Sequence, residues 1–215
     1  KSTDRFKATV SREPVDRPCT WLGIPHPAAI ENLLRHFKAA TLSELTERLD
    51  DDIVPVEIPY HSPTSDAIYT AFNFAGKEAM SRDDRTLTAP GFFANRTDPS
   101  DVSLFDWPDP ARYISPELCR QGVAEVSPGR VRLGVIWSAH FQDACAAFGM
   151  EHALAALHSA PGMFRAVIDR VVEFYLRANA IFYEAAGDAL HAVLIGNDFG
   201  GQEGLILSPE MIREF

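Results

Sequence analysis

Four short apolar runs, at 19–24 (CTWLGI), 52–59 (DIVPVEIP), 131–137 (VRLGVIW) and 191–196 (HAVLIG), alternate with longer stretches whose apolar residues recur every three or four positions. Runs of this length, bounded by Pro and Gly, are strand-sized. The helical stretches between them are long enough for the crossovers that parallel strands require. The order predicts an α/β fold with a parallel sheet.

The helices are marked by their ends as well as by their stripes. A leading helix is expected over residues 4–13, before Pro14, and another from Pro27 to Phe37, where Ile30, Leu33, Leu34 and Phe37 share one face. Thr41 followed by Glu44 is a capping box for a third, carrying Leu42, Leu45 and Leu49. Ser115-Pro116-Glu117 opens a fourth, and shorter helices are expected over 141–148 and 151–158. The strongest stripe runs from Met163 to Ala186, with Phe164, Val167, Ile168, Val171, Phe174, Tyr175, Ala178, Ile181, Phe182 and Ala185 on one broad face; Gly187 stops it. Ser208-Pro209-Glu210 starts a last helix. Residues from about 60 to 110 hold many of the prolines and aromatics without a period. They are read as an irregular excursion, with a hairpin around 68–74, covering one end of the fold.

A formal net charge of −10 and a pI near 5.1 argue against nucleic acid as a partner. Cys19, Cys119 and Cys145 are odd in number, far apart and form no CxxC pair, which points to a reducing cytoplasm rather than a disulfide framework. No apolar run approaches the roughly 18–20 residues of a membrane span. The chain opens at Lys1, so the expectation is that the first residues of the gene product precede it.

In parallel α/β folds chemistry gathers where strands end. His26 follows the first run; Glu57, Tyr60 and His61 end the second; Trp137, Ser138, His140 and Gln142 end the third; Asn197, Asp198 and Gln202 follow the fourth. Asp198 is the sharpest candidate, a carboxylate leaving an apolar strand at a mouth where burial and neighbours tune it. The competing reading is that Asp198 or Asn197 merely caps a turn. Glu57 reads either as a second cleft carboxylate or as a buried ion-pair partner. His140 reads as a proton donor or as a packing residue, and Trp137 as a pocket wall or as core. Gly200-Gly201-Gln202-Glu203-Gly204 could cradle an anion, although Glu203 disfavours phosphate. Hydrolase elbows, Walker loops and HExxH motifs are absent from the sequence. An open doubly wound sheet is the other topology, but no Gly-rich phosphate loop follows any strand.

The run IGNDFGGQEGLILSPEMIREF resembles the stretch after a central barrel strand in the uroporphyrinogen decarboxylase superfamily. RFKATVSREPVDRP, the WPDP within DVSLFDWPDPARY and GVIWSAHFQDACAAFGMEHALAAL agree with it in the same order, over nearly the whole chain. The resemblance implies a (β/α)8 TIM-type barrel with a cleft at the strand C-termini. Eight units typically need about 250 residues, so 1–215 is expected to be a single incomplete barrel domain, about the first half to two-thirds.

Within that superfamily the decarboxylases carry an arginine pair after the first strand that grips propionates. Here that region reads GIPHPAAIENLLRHFKAA, with Arg35 alone. Their aspartate after the second strand corresponds to Glu57, and a tyrosine five residues after a tryptophan corresponds to Gln142. The methyltransferase branch, which lacks the arginine pair, fits better. It implies methyl transfer from a corrinoid, carried by a partner corrinoid protein, to a thiol or related acceptor. It also implies zinc, with a His-x-Cys and a further Cys expected beyond residue 215. Asp198 and Glu57 would be the catalytic carboxylates, with His26, Tyr60, His61, Trp137, Ser138, His140, Gln142, Asn197 and Gln202 around the substrate. The alternatives are decarboxylation of uroporphyrinogen or a related polycarboxylate, and a non-catalytic protein that holds a tetrapyrrole or corrinoid. A homodimer is compatible with each.

Overall fold

The computed structural model describes residues 1–77 and 87–215. In chain order the elements are α1 (Ser2–Val10), α2 (Pro27–Phe37), α3 (Leu42–Arg48), β1 (Ile53–Glu57), α4 (Pro110–Tyr113), α5 (Pro116–Ala124), β2 (Val131–Trp137), α6 (His140–Phe148), α7 (Met150–Ser159), α8 (Pro161–Ala186), β3 (Ala192–Ile195) and α9 (Pro209–Glu214). The strands form one sheet in the order β1-β2-β3. Val131 N–H bonds to Asp52 O and Ile58 N–H to Val135 O, so the first pair runs parallel; His191 to Arg132 and Gly196 to Trp137 set the second pair the same way. The architecture is therefore mixed α/β with a small parallel sheet. Among the described residues no helix is long and apolar enough to cross a membrane.

The chain divides into two compact units. The first comprises Lys1–Glu57, Gln121–Gly134 and Asp188–Val193. Its polar centre is Asp52, 0% exposed, which accepts from Arg5, from Arg17 at 2.6 Å and from the Thr20 N–H at 3.0 Å. A buried carboxylate demands such a shell, because desolvating it without partners costs several kcal/mol. The same shell explains a difference from the sequence reading. Residues 19–24 form no strand. The Thr20 and Leu22 N–H groups go to the carboxylates of Asp52 and Asp51 (3.0 and 2.7 Å), and Gly23 turns to φ +81°, outside the extended region. Four expected strands are thus three among the described residues. The Thr41 cap holds: its hydroxyl accepts from the Glu44 N–H at 3.1 Å, and Glu44 accepts in turn from Ala40 N–H at 2.7 Å.

The second unit comprises Ile58–Arg120, Val135–Gly187 and Leu194–Phe215. Its spine is α8, against which α4, α6 and α7 pack. The buried stripe follows the sequence, with Met163 and Ala186 buried as well, while Ile181 and Ala185 are half-covered. Tyr175 donates to Asp143 across the core at 2.6 Å, both groups buried.

The excursion at 60–110 is held by aromatic packing rather than by a hairpin. Ile68–Thr70 makes one 3-10 turn, closed by the Thr70 hydroxyl donating to Ala67 O at 3.0 Å. Beyond it Phe72, Phe74, Phe93, Phe105 and Trp107 form a ring cluster with centroids about 5–6 Å apart, joined to α8 through Phe72–Phe174 at 4.8 Å. Residues 78–86 of the expected excursion lie outside the described residues. Gly91 permits the seam with α6: a Cβ there would stand 2.2 Å from Ala146 O.

Candidate functional site

Among the described residues of the second unit, left-handed backbone at residues other than Gly is confined to the end of β2. Trp137 and Ser138 both take positive φ, +65° and +46°, where side chains other than Gly are disfavoured. Ser138 N–H bonds back to Ile136 O at 2.8 Å and His140 N–H to Ser138 O at 2.8 Å, so the chain makes two tight turns before α6 begins. Strain of this kind persists where surrounding contacts enforce it, and such places concentrate at functional sites.

Asn197, just past β3, supplies those contacts. Its Oδ1 accepts from Phe141 N–H at 3.1 Å, and its Nδ2 donates to Ser138 O at 3.1 Å and lies 3.1 Å from His140 Nδ1. His140 Nδ1 is also 3.0 Å from Ser138 O. Either it accepts from Asn197 or it donates to the Ser138 carbonyl; in both cases the Nε2 edge has no bond among the described residues. One position further on, Gln142 Nε2 donates to Asp198 Oδ2 at 2.9 Å. Stacking of Phe141 on Phe199, 5.2 Å between centroids, fixes the two loops against each other.

Three buried polar atoms here lack hydrogen-bond partners among the described residues: Trp137 Nε1, Ser138 Oγ and Gln142 Oε1. Orphaned buried groups are rare in folded proteins. Together with the left-handed pair they mark the ends of β2 and β3 as a place shaped by more than stability. Tyr69, edge-on to the Trp137 indole at 5.9 Å, joins this cluster. It lies in the aperiodic excursion, so no sequence signal marked it.

The other expected residues fall in different settings. Glu57, at the end of β1, and His26 belong to the first unit, and both are exposed. A buried ion-pair role for Glu57 is thereby removed. His26 Nδ1 accepts the Ala28 N–H at 3.2 Å, which makes it the cap of α2. His61 is exposed and sits 2.6 Å from Asp66. Tyr60 is buried, and burial pushes its hydroxyl up to about 12. Gln202 is exposed in a turn closed by Gly201 N–H to Gly204 O at 2.7 Å.

Among the described residues no three His, Cys, Asp or Glu come together as a metal would need. Cys119 and Cys145 are buried thiols pushed up to about 11 and 12, chiefly by that burial, whereas zinc takes thiolates.

No family model, curated protein or solved structure matches the chain.

Proposed function

We propose that β1, β2 and β3 are opening strands of a β/α barrel of the uroporphyrinogen decarboxylase type, and that the protein moves a methyl group from a methyl-corrinoid to a thiol acceptor. The observation that carries this reading is the polar cluster at the C-terminal ends of two adjacent parallel strands, Asn197 with His140 and Asp198 with Gln142. That is where barrel enzymes place their chemistry. The sequence blocks described above supply the family, and the lone Arg35 favours transfer over decarboxylation.

A thiol must lose its proton to become the better nucleophile. With Nδ1–H donating to Ser138 O, the His140 Nε2 is left unprotonated and is the group available to take that proton. Asp198, aligned by Gln142, favours the imidazolium that results and orients the acceptor. The corrinoid would be the methyl-donating substrate: the thiolate sulfur would form its bond to the methyl carbon as the cobalt–carbon bond breaks, and that bond's electron pair would leave with the demethylated corrinoid.

The test is turnover of methylcobalamin with a small thiol, followed by the change in corrin absorbance. Wild-type protein should demethylate the corrinoid, and Asp198→Asn and His140→Gln should each slow it by about a hundredfold. Release of carbon dioxide from uroporphyrinogen without methyl transfer would replace this reading by decarboxylation. Tight corrinoid binding without either reaction would leave a carrier role.

A further inference from the structure

The second unit holds a cavity of about 390 Å³ between the start of the excursion and α4. Its size lies within the range of small-molecule sites. Phe105, Trp107 and Tyr113 give it flat apolar walls, and Tyr60 lines it while remaining 3% exposed. The Tyr60 hydroxyl has no partner of ordinary geometry among the described residues. Ser62 lies close enough to offset part of the effect of that burial, but the Ser62 hydroxyl is already bonded to Ser65. A buried phenol without a partner is costly, and a ligand atom would relieve it.

Two charges of opposite sign stand at the same cavity. Arg112 lies over the Tyr113 ring at 5.6 Å, and Asp106 is exposed; neither has an ion-pair partner among the described residues. Asp109, by contrast, is held by Arg177 at 3.0 Å. Aromatic walls select a planar ring. A free guanidinium and a free carboxylate select a molecule bearing both an anion and a cation. The inner phenol selects a ring that can itself hydrogen-bond.

We propose that this cavity binds an aromatic α-amino acid, with Arg112 on its carboxylate, Asp106 on its ammonium and the Tyr60 hydroxyl on a polar ring atom. The site is distinct from the cluster at β2 and β3, and its occupation does not depend on methyl transfer.

Calorimetric titration of the whole protein with L-tryptophan, tryptamine, indolepropionate, indole and L-phenylalanine tests it. L-Tryptophan should bind most tightly. Arg112→Gln should weaken L-tryptophan and indolepropionate about tenfold and leave tryptamine unchanged, and Asp106→Asn should weaken L-tryptophan and tryptamine but not indolepropionate. Both side chains are exposed, so these variants keep the fold. Tyr60→Phe should narrow the preference for L-tryptophan over L-phenylalanine. Indole binding as tightly as L-tryptophan, affinities indifferent to the two charge variants, or no heat from any probe would each overturn the assignment.

Discussion

Asn197 caps a helix whose first turn lies 56 residues before it: its Oδ1 accepts the Phe141 N–H at the start of α6, where Ala139 in the cap position offers no side-chain hydrogen bond of its own. The carboxamide thereby does a cap residue's work from another strand end, while its Nδ2 holds Ser138 O. Asn197→Ala removes both and should lower stability by about 2 kcal/mol, read from the midpoint of urea unfolding. Asn197→Asp keeps the acceptor for Phe141 but loses the donor, and should fall between. An unchanged midpoint for the Ala variant would show that α6 is capped by something else.

Asp52 is the second place where one side chain holds distant segments. Burial alone would push its carboxyl up. The Thr20 N–H, Ser2, Arg17 and Arg5 outweigh that and hold it below the usual range. Asp52→Asn leaves two guanidinium groups facing a neutral amide, and a loss of roughly 3 kcal/mol or more is expected by chemical denaturation, as when one member of a buried pair is removed. Because the folded carboxyl is the stronger acid, its contribution is complete above the unfolded value of about 3.9 and is lost as pH falls below it. The Asn variant should therefore lose less stability than the wild type between about pH 5 and pH 3.

Helices were legible because their signals are local. The Met163–Ala186 stripe, the Thr41 cap and the Gly187 stop each depend on residues within a few positions of one another, and the expected helices stand at or within two or three residues of their bounds, whereas the short α4 was not expected. Residues 19–24 misled because their apolar composition suits a strand, whereas their conformation is set by carboxylates about 30 residues away and by a left-handed Gly23. Strand ends pointed to Trp137, Ser138, His140, Gln142, Asn197 and Asp198, which the second unit does bring together in one cluster. The aromatic cavity was not legible. Its walls come from 60–64, 71–73 and 105–113, and the excursion has neither a period of two nor of 3.6 to reveal a common face.

His191 gives a second handle on pH, within the first unit. Its Nδ1 accepts the Arg132 N–H at 3.0 Å, a bond only an unprotonated nitrogen can make. Burial first, then Arg132 and Lys7, depress its affinity for a proton below the ordinary histidine value. A depressed basic group favours the fold while neutral: that contribution is present above about pH 6.5 and is lost as pH falls through the lower folded value. Wild-type unfolding midpoints should therefore decline between about pH 7 and pH 5 more steeply than those of His191→Asn. Parallel slopes for the two proteins would exclude His191 as the source.

The last test separates strain from fold at the end of β2. Ser138 holds φ +46° and buries a hydroxyl that finds no partner among the described residues; both features cost stability. Gly is free in the left-handed region and carries no hydroxyl, but it also gains entropy in the unfolded chain. The first two effects outweigh the third, so Ser138→Gly should raise the unfolding free energy by about 1 kcal/mol. If the strained turn exists to present Trp137 and His140 to a substrate, the same variant should lose activity in the methylcobalamin assay as it gains stability, the trade expected where a site rather than the core dictates a residue. A variant less stable than the wild type would mean that Ser138 supports the fold, and the strain argument for this site would fail with it.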